Sequence, residues 1–313
     1  MPDMAVHAVF GREVRDSLPE EIRTRLVDTP WHIALFGPDF WFLHPVADQR
    51  QNRGRRMHTT RTDIFLIALA RKAREGGSRA EIFSYLAGFL CHYTLDSVAH
   101  PYIIGQTTGP GTLPGSHRAF EHSLDILEMR RLGLWEQRHP LTGELFPSLC
   151  LPGSMAKDLD AVYEQVYGWK DSTALLNRYA GRMRFLYQLM ESRGGAGVFL
   201  ARVTRHPFLQ SLSYPESYYE GTDVENTEHR LWANPFDPAL TSRESFAELK
   251  ERARQDAVRM TVAAFRYIWS EDADEAPLRE AIEDRSYFSC LPWRDPRNLT
   301  VRKLEPSPDP EIR

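Results

Sequence analysis

A largely apolar stretch from residue 88 to residue 101, GFLCHYTLDSVAHP, constrains the fold most because it carries polar side chains at four-residue intervals. On an α-helix four residues advance about 400°, so His92, Asp96 and His100 form one stripe. An ionised carboxylate in apolar surroundings is costly unless it is paired. A zinc-like cation held by imidazole and carboxylate would remove that cost. A buried, hydrogen-bonded His–Asp pair is the alternative for this stretch taken alone.

The balance of acidic and basic residues limits which kinds of partner the chain is expected to bind. The chain has 313 residues, of which 39 are basic and 43 acidic, for a net charge of −4. This balance predicts no basic face for duplex nucleic acid. No uninterrupted apolar run approaches the roughly 20 residues of a membrane helix, and the N-terminus lacks a signal-peptide pattern. We therefore expect no transmembrane segment and a cytoplasmic location. The oligomeric state stays open.

The cysteines restrict the chemistry of any metal site. Cys91, Cys150 and Cys290 are odd in number and far apart in sequence, which argues against a disulfide framework. They also lack CxxC spacing. A metal site must therefore be built from histidine, aspartate and glutamate.

The hydrophobic spacing predicts an all-α protein, and no segment shows a convincing strand alternation. A helix is expected from about Thr60 to Glu75. The capping box SRAE (78–81) predicts the start of the next helix, which Pro101 should end. Residues 101–115, with four glycines and three prolines, should form a loop before a helix that opens at Ser116. A second capping box, TSRE (241–244), should precede a long amphipathic helix.

Two parts of the chain are expected to serve different purposes. Residues 1–205 should form a metal-binding helical core. Residues 206–313 should comprise an aromatic loop segment and C-terminal helices packed on the same domain. The last twenty residues are rich in proline and charge, and we expect them to be loosely ordered.

Eight side chains are candidate metal ligands. They are His7, Asp39, His58, His92, Asp96, His100, His117 and Glu121. Taken singly, each has a structural alternative: Asp39 is a helix-cap candidate after Gly37-Pro38, and Glu121 is an acid in a first helical turn. Together they favour several cations in one pocket. The remaining histidines have no matched partner and are interpreted as structural or surface residues, namely His32, His44, His122, His139, His206 and His229.

On these residues the chain resembles the bacterial zinc-dependent phospholipase C family, whose fold is shared by fungal trinuclear zinc nucleases that act on single strands. The resemblance covers roughly residues 1–130 and continues more loosely in NTEHRLWANP (226–235) and SYFSCLPW (286–293). It implies a multi-helix bundle of that family's type, with a C-terminal helical extension. It also implies two to three zinc ions at the base of a cleft.

The resemblance further implies which residues hold each ion. Asp39, His58, His92 and Asp96 would bind the first, His100, His117 and Glu121 the second, and Asp96, His7 and the chain's own N-terminus the third. The sequence departs from the family at two places. Secreted relatives begin with Trp, whereas removal of Met1 here would leave Pro2 as the terminus, and a proline amine is an unusual ligand. The interval between Asp96 and His100 is also shorter than in the phospholipases, although it keeps both on one stripe.

The implied activity is hydrolysis of a phosphodiester, including phospholipid. Adjacent ions lower the pKa of a water and stabilise charge on the attacking and leaving oxygens, and Asp39 would accept the water's proton. Four aromatic residues are expected either to line an apolar approach or to pack in the core: Trp31, Phe40, Trp41 and Phe42. An intracellular nuclease or small-phosphodiester hydrolase is the main alternative on substrate. A non-catalytic metal-binding scaffold of the same fold is the alternative from another class.

Overall fold

The chain is described by a computed structural model over the following residues: 4–46, 52–108, 116–137, 141–147, 149–190, 199, 203–204 and 221–300. The fold is an all-α bundle, as predicted. Its helices are α1 (Met4–Ser17), α2 (Glu20–Arg23), α3 (Asp28–Ala34), α4 (Arg53–Thr59), α5 (Thr62–Glu75), α6 (Arg79–Thr107), α7 (Ser116–Arg131), α8 (Ala156–Tyr167), α9 (Ser172–Met190), α10 (Phe246–Trp269) and α11 (Ala276–Ile282). Short turns of other helical types occur at Asp39–Leu43, Leu141–Leu145, Gly153–Met155 and Pro296–Thr300. Within these residues, no helix is both long and apolar enough to cross a membrane.

Helix α6 is the centre of the bundle. Every residue from Ile82 to Ile104 is buried, which is typical of a helix surrounded by protein rather than of one with a solvent face. Helices α10 and α3 pack most extensively against it, followed by α5, α1 and α7. The polar stripe of α6 is therefore fully buried inside the protein.

Pro101 does not end α6, contrary to the prediction. The helix continues to Thr107 with Pro101 in its interior. Proline inside a helix costs about 3 kcal/mol because it lacks an N–H and its ring crowds the preceding turn. Burial of Tyr102 and Ile103, each about 2 kcal/mol by the usual estimate for a large apolar side chain, offsets that cost. Residues 109–115 of the predicted loop lie outside the described residues.

Neither predicted capping box is present. The Ser78 hydroxyl donates to Asp158 Oδ2 at 2.7 Å instead of capping α6, because a charged acceptor makes the stronger bond. The real box lies at Ser245 and Glu248, at the start of α10. Residues 241–242 of the predicted box instead belong to a strand.

No alternating pattern in the sequence indicates a strand, yet the described residues contain two short ones. A small antiparallel hairpin joins β1 (Trp232–Asn234) to β2 (Asp237–Ser242), with Trp232 opposite Ser242. The hairpin contacts α6 through β1. It is a local addition to a helical fold.

One continuous core runs through the bundle. It contains buried side chains from α1 through α11, and α10 packs on α6, α5 and α1. Helices on both sides of residue 205 thus share apolar contacts. The division into a core over 1–205 and a packed extension over 206–313 stays a prediction.

Close approach of α3 to α6 depends on Gly88. A Cβ at this position would lie 2.4 Å from the Trp31 carbonyl oxygen and 2.9 Å from Ala34 Cβ. We expect Gly88→Ala to lower the free energy of unfolding by about 1–3 kcal/mol, because overpacking forces the helices apart. Urea denaturation measures this change.

Gly181 in α9 provides the matched control. It is exposed, and a Cβ there would meet no described heavy atom within 4 Å. Gly181→Ala should raise the free energy of unfolding by about 0.5–1 kcal/mol through helix propensity. Equal stability changes in the two variants would contradict the packing of α3 on α6.

Candidate metal centre

The Asp96 carboxylate is surrounded by imidazoles. Its oxygens lie 3.0 Å from His92 Nε2, 3.2 Å from His7 Nε2 and 3.5 Å from His58 Nε2. His100 Nδ1 is 3.8 Å away. All five side chains are buried. The stripe predicted on α6 therefore meets ligand candidates from two other helices, α1 and α4.

Asp39 completes one side of this cluster. It begins the short turn Asp39–Leu43 after Gly37, whose φ of +45° favours glycine. A Cβ on Gly37 would lie 2.5 Å from the His92 ring, so glycine also leaves room for that imidazole. Asp39 Oδ1 lies 3.4 Å from His58 Nε2 and 3.7 Å from His92 Nε2.

A second cluster joins the later part of α6 to the start of α7. His117 Nε2 lies 2.9 Å from Glu121 Oε1, and His100 Nε2 lies 3.8 Å from the same oxygen. The His100 and His117 rings stack with their centroids 5.9 Å apart. The four-residue spacing of His117 and Glu121 places both on the face of α7 that meets α6.

The eight predicted ligands fall into three groups. Within each group, the ligand atoms lie within 4.8 Å of one another. The groups are His7, His92 and Asp96; Asp39, His58 and His92; and His100, His117 and Glu121. His92 belongs to two groups, whereas the resemblance assigned it to the first ion only. The third group matches the implied second ion. That these residues ligate metal stays a prediction, and Met1 and Pro2 lie outside the described residues.

Backbone carbonyls fix the orientation of three imidazoles. Nδ1 of His58, His92 and His100 lies 2.7, 3.1 and 2.7 Å from a main-chain oxygen, respectively. The acceptors are the carbonyls of Gly54, Leu35 and Tyr287. A carbonyl only accepts, so Nδ1 carries the proton and the Nε2 lone pair points into the cluster. Zinc-binding histidines are oriented in this way.

Several buried atoms of the predicted ligands lack a hydrogen bond within the described part of the chain. They are Nδ1 and Nε2 of His7, Oδ1 of Asp39, Nε2 of His92, both carboxylate oxygens of Asp96, and Nε2 of His100. Buried polar atoms are rarely left without partners because each costs free energy. Cations coordinated by one nitrogen of each ring and by the carboxylate oxygens would satisfy most of them, and this donor set suits zinc.

The protonation states fit metal ligation. Burial would raise the pKa of Asp96, but the surrounding imidazoles, His92 first, hold it well below its ordinary value. Burial lowers the pKa of His7 and His100, which favours their neutral, ligating form. Burial would also lower the pKa of His58, yet Asp39 and Asp96 raise it to about 9. A cation would replace the proton that these carboxylates otherwise hold on His58.

Comparison with family models identifies the chain. The model described as zinc dependent phospholipase C matches residues 6–179, which include all eight predicted ligands. The chain belongs to the zinc-dependent phospholipase C family. Neither the comparison with curated proteins nor that with solved structures gave a match. The resemblance inferred from the ligand pattern is thereby confirmed.

The aromatic residues of this phospholipase C family member mostly serve the core. Trp31, Phe40 and Trp41 are buried, so of the two expected roles these three residues take core packing. Trp41, for example, packs against Tyr163, with ring centroids 5.3 Å apart, because large rings gain most from complete burial. Phe42 is 37% exposed, and its ring lies 5.2 Å from that of His58.

Four other histidines lie outside the three groups, as expected. His32 Nδ1 bonds to the Asp28 carbonyl at 2.8 Å, and His44 Nδ1 to the Tyr179 hydroxyl at 2.7 Å. His122 is buried on α7, and His229 is exposed. His139 and His206 lie outside the described residues.

Sequence reasoning missed Asp125, which holds the helix that carries His7. Its buried carboxylate accepts the N–H groups of Ala5 and Val6 at 3.0 and 2.9 Å, at the start of α1. An anion is favoured there because the first amides of a helix have no partner within it. Asp125 continues the four-residue series of His117 and Glu121 on α7, and this spacing is the signal that was available.

We expect Asp125→Asn to lower both stability and zinc content. The loss of a charged acceptor should reduce the free energy of unfolding by about 1–3 kcal/mol. His7 would also lose its fixed position. Urea denaturation and elemental analysis measure the two effects.

Asp158→Asn is the matched control. Asp158 accepts the N–H and hydroxyl of Ser78 at the start of α6, at the end opposite to the metal ligands. This variant should be destabilised but keep its zinc. Wild-type zinc content in Asp125→Asn would contradict the role of Asp125 in placing His7.

Proposed function

We propose that this chain hydrolyses phosphodiester bonds in a zinc-dependent reaction of the phospholipase C type. One observation supports this most: three adjoining groups of nitrogen and oxygen ligands surround a buried Asp96 in a chain of this family. Several neighbouring ligand groups exceed what a single structural zinc site requires. They suit a reaction in which charge develops on more than one oxygen.

The ligands divide among two to three zinc ions. We assign Asp39, His58, His92 and Asp96 to the first ion, His100, His117 and Glu121 to the second, and His7 with Asp96 to a third. Bound zinc supplies a lowered pKa for water and stabilises charge on phosphoryl oxygens. The ligand set contains three carboxylates, fewer negative charges than even two zinc ions carry positive ones. The loaded centre would therefore attract an anionic phosphodiester.

Asp39 is the proposed catalytic base. Its side chain is 14% exposed, whereas Asp96, at the centre of the cluster, is completely buried. Oδ1 of Asp39 faces His58 and His92. A carboxylate held between the ligands and the surface can accept a proton from water at the site, a step that typically contributes 10²–10⁴-fold.

The imidazoles supply a rigid frame for this reaction. Hydrogen bonds from Nδ1 to main-chain carbonyls hold the rings of His58, His92 and His100 in place. Fixed ligands keep the centre in one geometry while charge moves, which is how preorganised sites lower reaction barriers. His117 is 32% exposed, and its group has the more open access to solvent.

The first test is metal removal from the purified chain. Treatment with 1,10-phenanthroline should abolish hydrolysis of p-nitrophenylphosphorylcholine, and added zinc should restore it, because the nitrogen and oxygen ligands alone cannot activate water sufficiently. Full activity in protein shown by elemental analysis to be free of metal would rule out the proposal.

The second test uses ligand variants. His92→Ala and Asp39→Asn should each reduce kcat/KM by at least about 100-fold, because one removes a shared ligand and the other the proposed base. His229→Ala is the control, since His229 is exposed and lies outside the three groups. Comparable activity in all three variants would contradict the assignment of the site.

Parallel assays on three substrates distinguish the alternative substrate classes. Phosphatidylcholine vesicles, single-stranded DNA and a small chromogenic diester separate a phospholipase from a nuclease and from a small-phosphodiester hydrolase. Full zinc loading without hydrolysis of any of them would favour the non-catalytic scaffold. The cytoplasmic location stays a prediction.

A further inference from the structure

A loop near the C-terminus reaches the metal-ligand groups from outside the family match. This loop, residues 286–291 (the C-terminal loop), follows α11, whereas the matched region ends at residue 179. Two of its residues, Tyr287 and Phe288, contact His58 and His100. These histidines belong to different groups.

The first contact orients His100. The Tyr287 carbonyl accepts the Nδ1 proton of His100 at 2.7 Å, and the two residues are 187 positions apart in sequence. This bond selects the form of the ring whose Nε2 lone pair faces Glu121. His58 and His92 are instead oriented by carbonyls of residues 54 and 35, which lie within the family match.

The second contact involves the ring of Phe288. It stacks on the His58 ring with centroids 5.3 Å apart and an interplanar angle of 16°. It also lies 5.2 Å from the His100 ring. Phe288 is buried. Its ring therefore forms an apolar wall against one histidine of each of two groups.

The C-terminal loop is held firmly by the rest of the protein. The Tyr287 N–H donates to the His58 carbonyl at 3.1 Å, and the Ser286 N–H to the Leu291 carbonyl at 2.7 Å. Asn234 of the hairpin donates to the Ser289 carbonyl at 2.9 Å. Phe288 also belongs to a small apolar cluster of the loop, the hairpin and the end of α6, formed with Ile104, Phe236 and Leu291.

We propose that the C-terminal loop is a positioning element of the metal centre, with Tyr287 orienting His100 and Phe288 shielding His58 and His100. The proposal rests on the zinc site of the proposed function. It predicts that retention of the ion held by His100, His117 and Glu121 depends on a segment beyond the matched residues 6–179. Partners that orient metal ligands typically contribute 10–100-fold in metal affinity.

The test compares Phe288→Ala with Phe236→Ala in the zinc-loaded chain of 313 residues. Both remove a buried ring from the same small cluster. Among the ring contacts of the described residues, however, none joins Phe236 to a histidine. Zinc release into a chelating dye gives the rate and the number of ions lost, and thermal unfolding monitors folding. His100→Ala serves as the reference for loss of this ion.

We expect Phe288→Ala to release one ion about 10–100-fold faster than the wild type, because loss of the ring exposes His100 to water and loosens the neighbouring Tyr287 carbonyl that orients it. Phe236→Ala should be destabilised to a similar extent and release zinc at the wild-type rate. If Phe288→Ala does not fold, Phe288→Leu, which keeps an apolar side chain but no stacked ring, takes its place. Equal release rates in the Phe288 and Phe236 variants would overturn the proposal.

Substrate is absent from this experiment, so its outcome is independent of turnover. Faster release from Phe288→Ala in a chain that hydrolyses no ester would support the positioning role and overturn the proposed activity alone. An active wild type with an unaltered Phe288→Ala variant would overturn the positioning role alone. A wild type that takes up no zinc would overturn both.

Discussion

The buried carboxylate of Asp96 is the constraint on which the structure depends. It lies at the centre of α6 within 4 Å of nitrogen atoms of four histidines, away from water. An isolated charge in such a place would be strongly unfavourable, and removal of one partner from a buried ionic cluster typically costs about 3–5 kcal/mol. The surrounding helices must therefore bring complementary groups to it. Helices α1 and α4, together with α6 itself, supply them.

The packing of the bundle explains how distant residues reach one centre. Gly88 lets α3 approach α6 closely, and the chain just after α3 then provides the Leu35 carbonyl that orients His92. Asp125 on α7 holds the first turn of α1, next to His7. His7 and His92 are thus positioned by contacts with other parts of the bundle rather than by their own helices alone. This dependence links the stability of the bundle to the geometry of the site.

The sequence predicted which side chains lie together better than it predicted the details of the fold. Four-residue spacing on a helix is a local property, so the pairs on α6 and α7 could be identified directly. The predictions from Pro101 and Ser78 were wrong because tertiary contacts outweighed local preference. Apolar burial lets α6 continue through Pro101, and Asp158 takes the Ser78 hydroxyl away from the predicted cap. The Tyr287 carbonyl could not be found at all, since any residue has a carbonyl and no side-chain pattern marks this one.

The central claim is that the converging side chains hold several zinc ions in one pocket. Elemental analysis of the purified wild-type chain tests it most directly, because it counts ions without assuming a substrate or a reaction. The three ligand groups predict two to three zinc ions per chain. Protein that is folded by circular dichroism, yet carries no zinc and takes up none when it is supplied, would contradict the account.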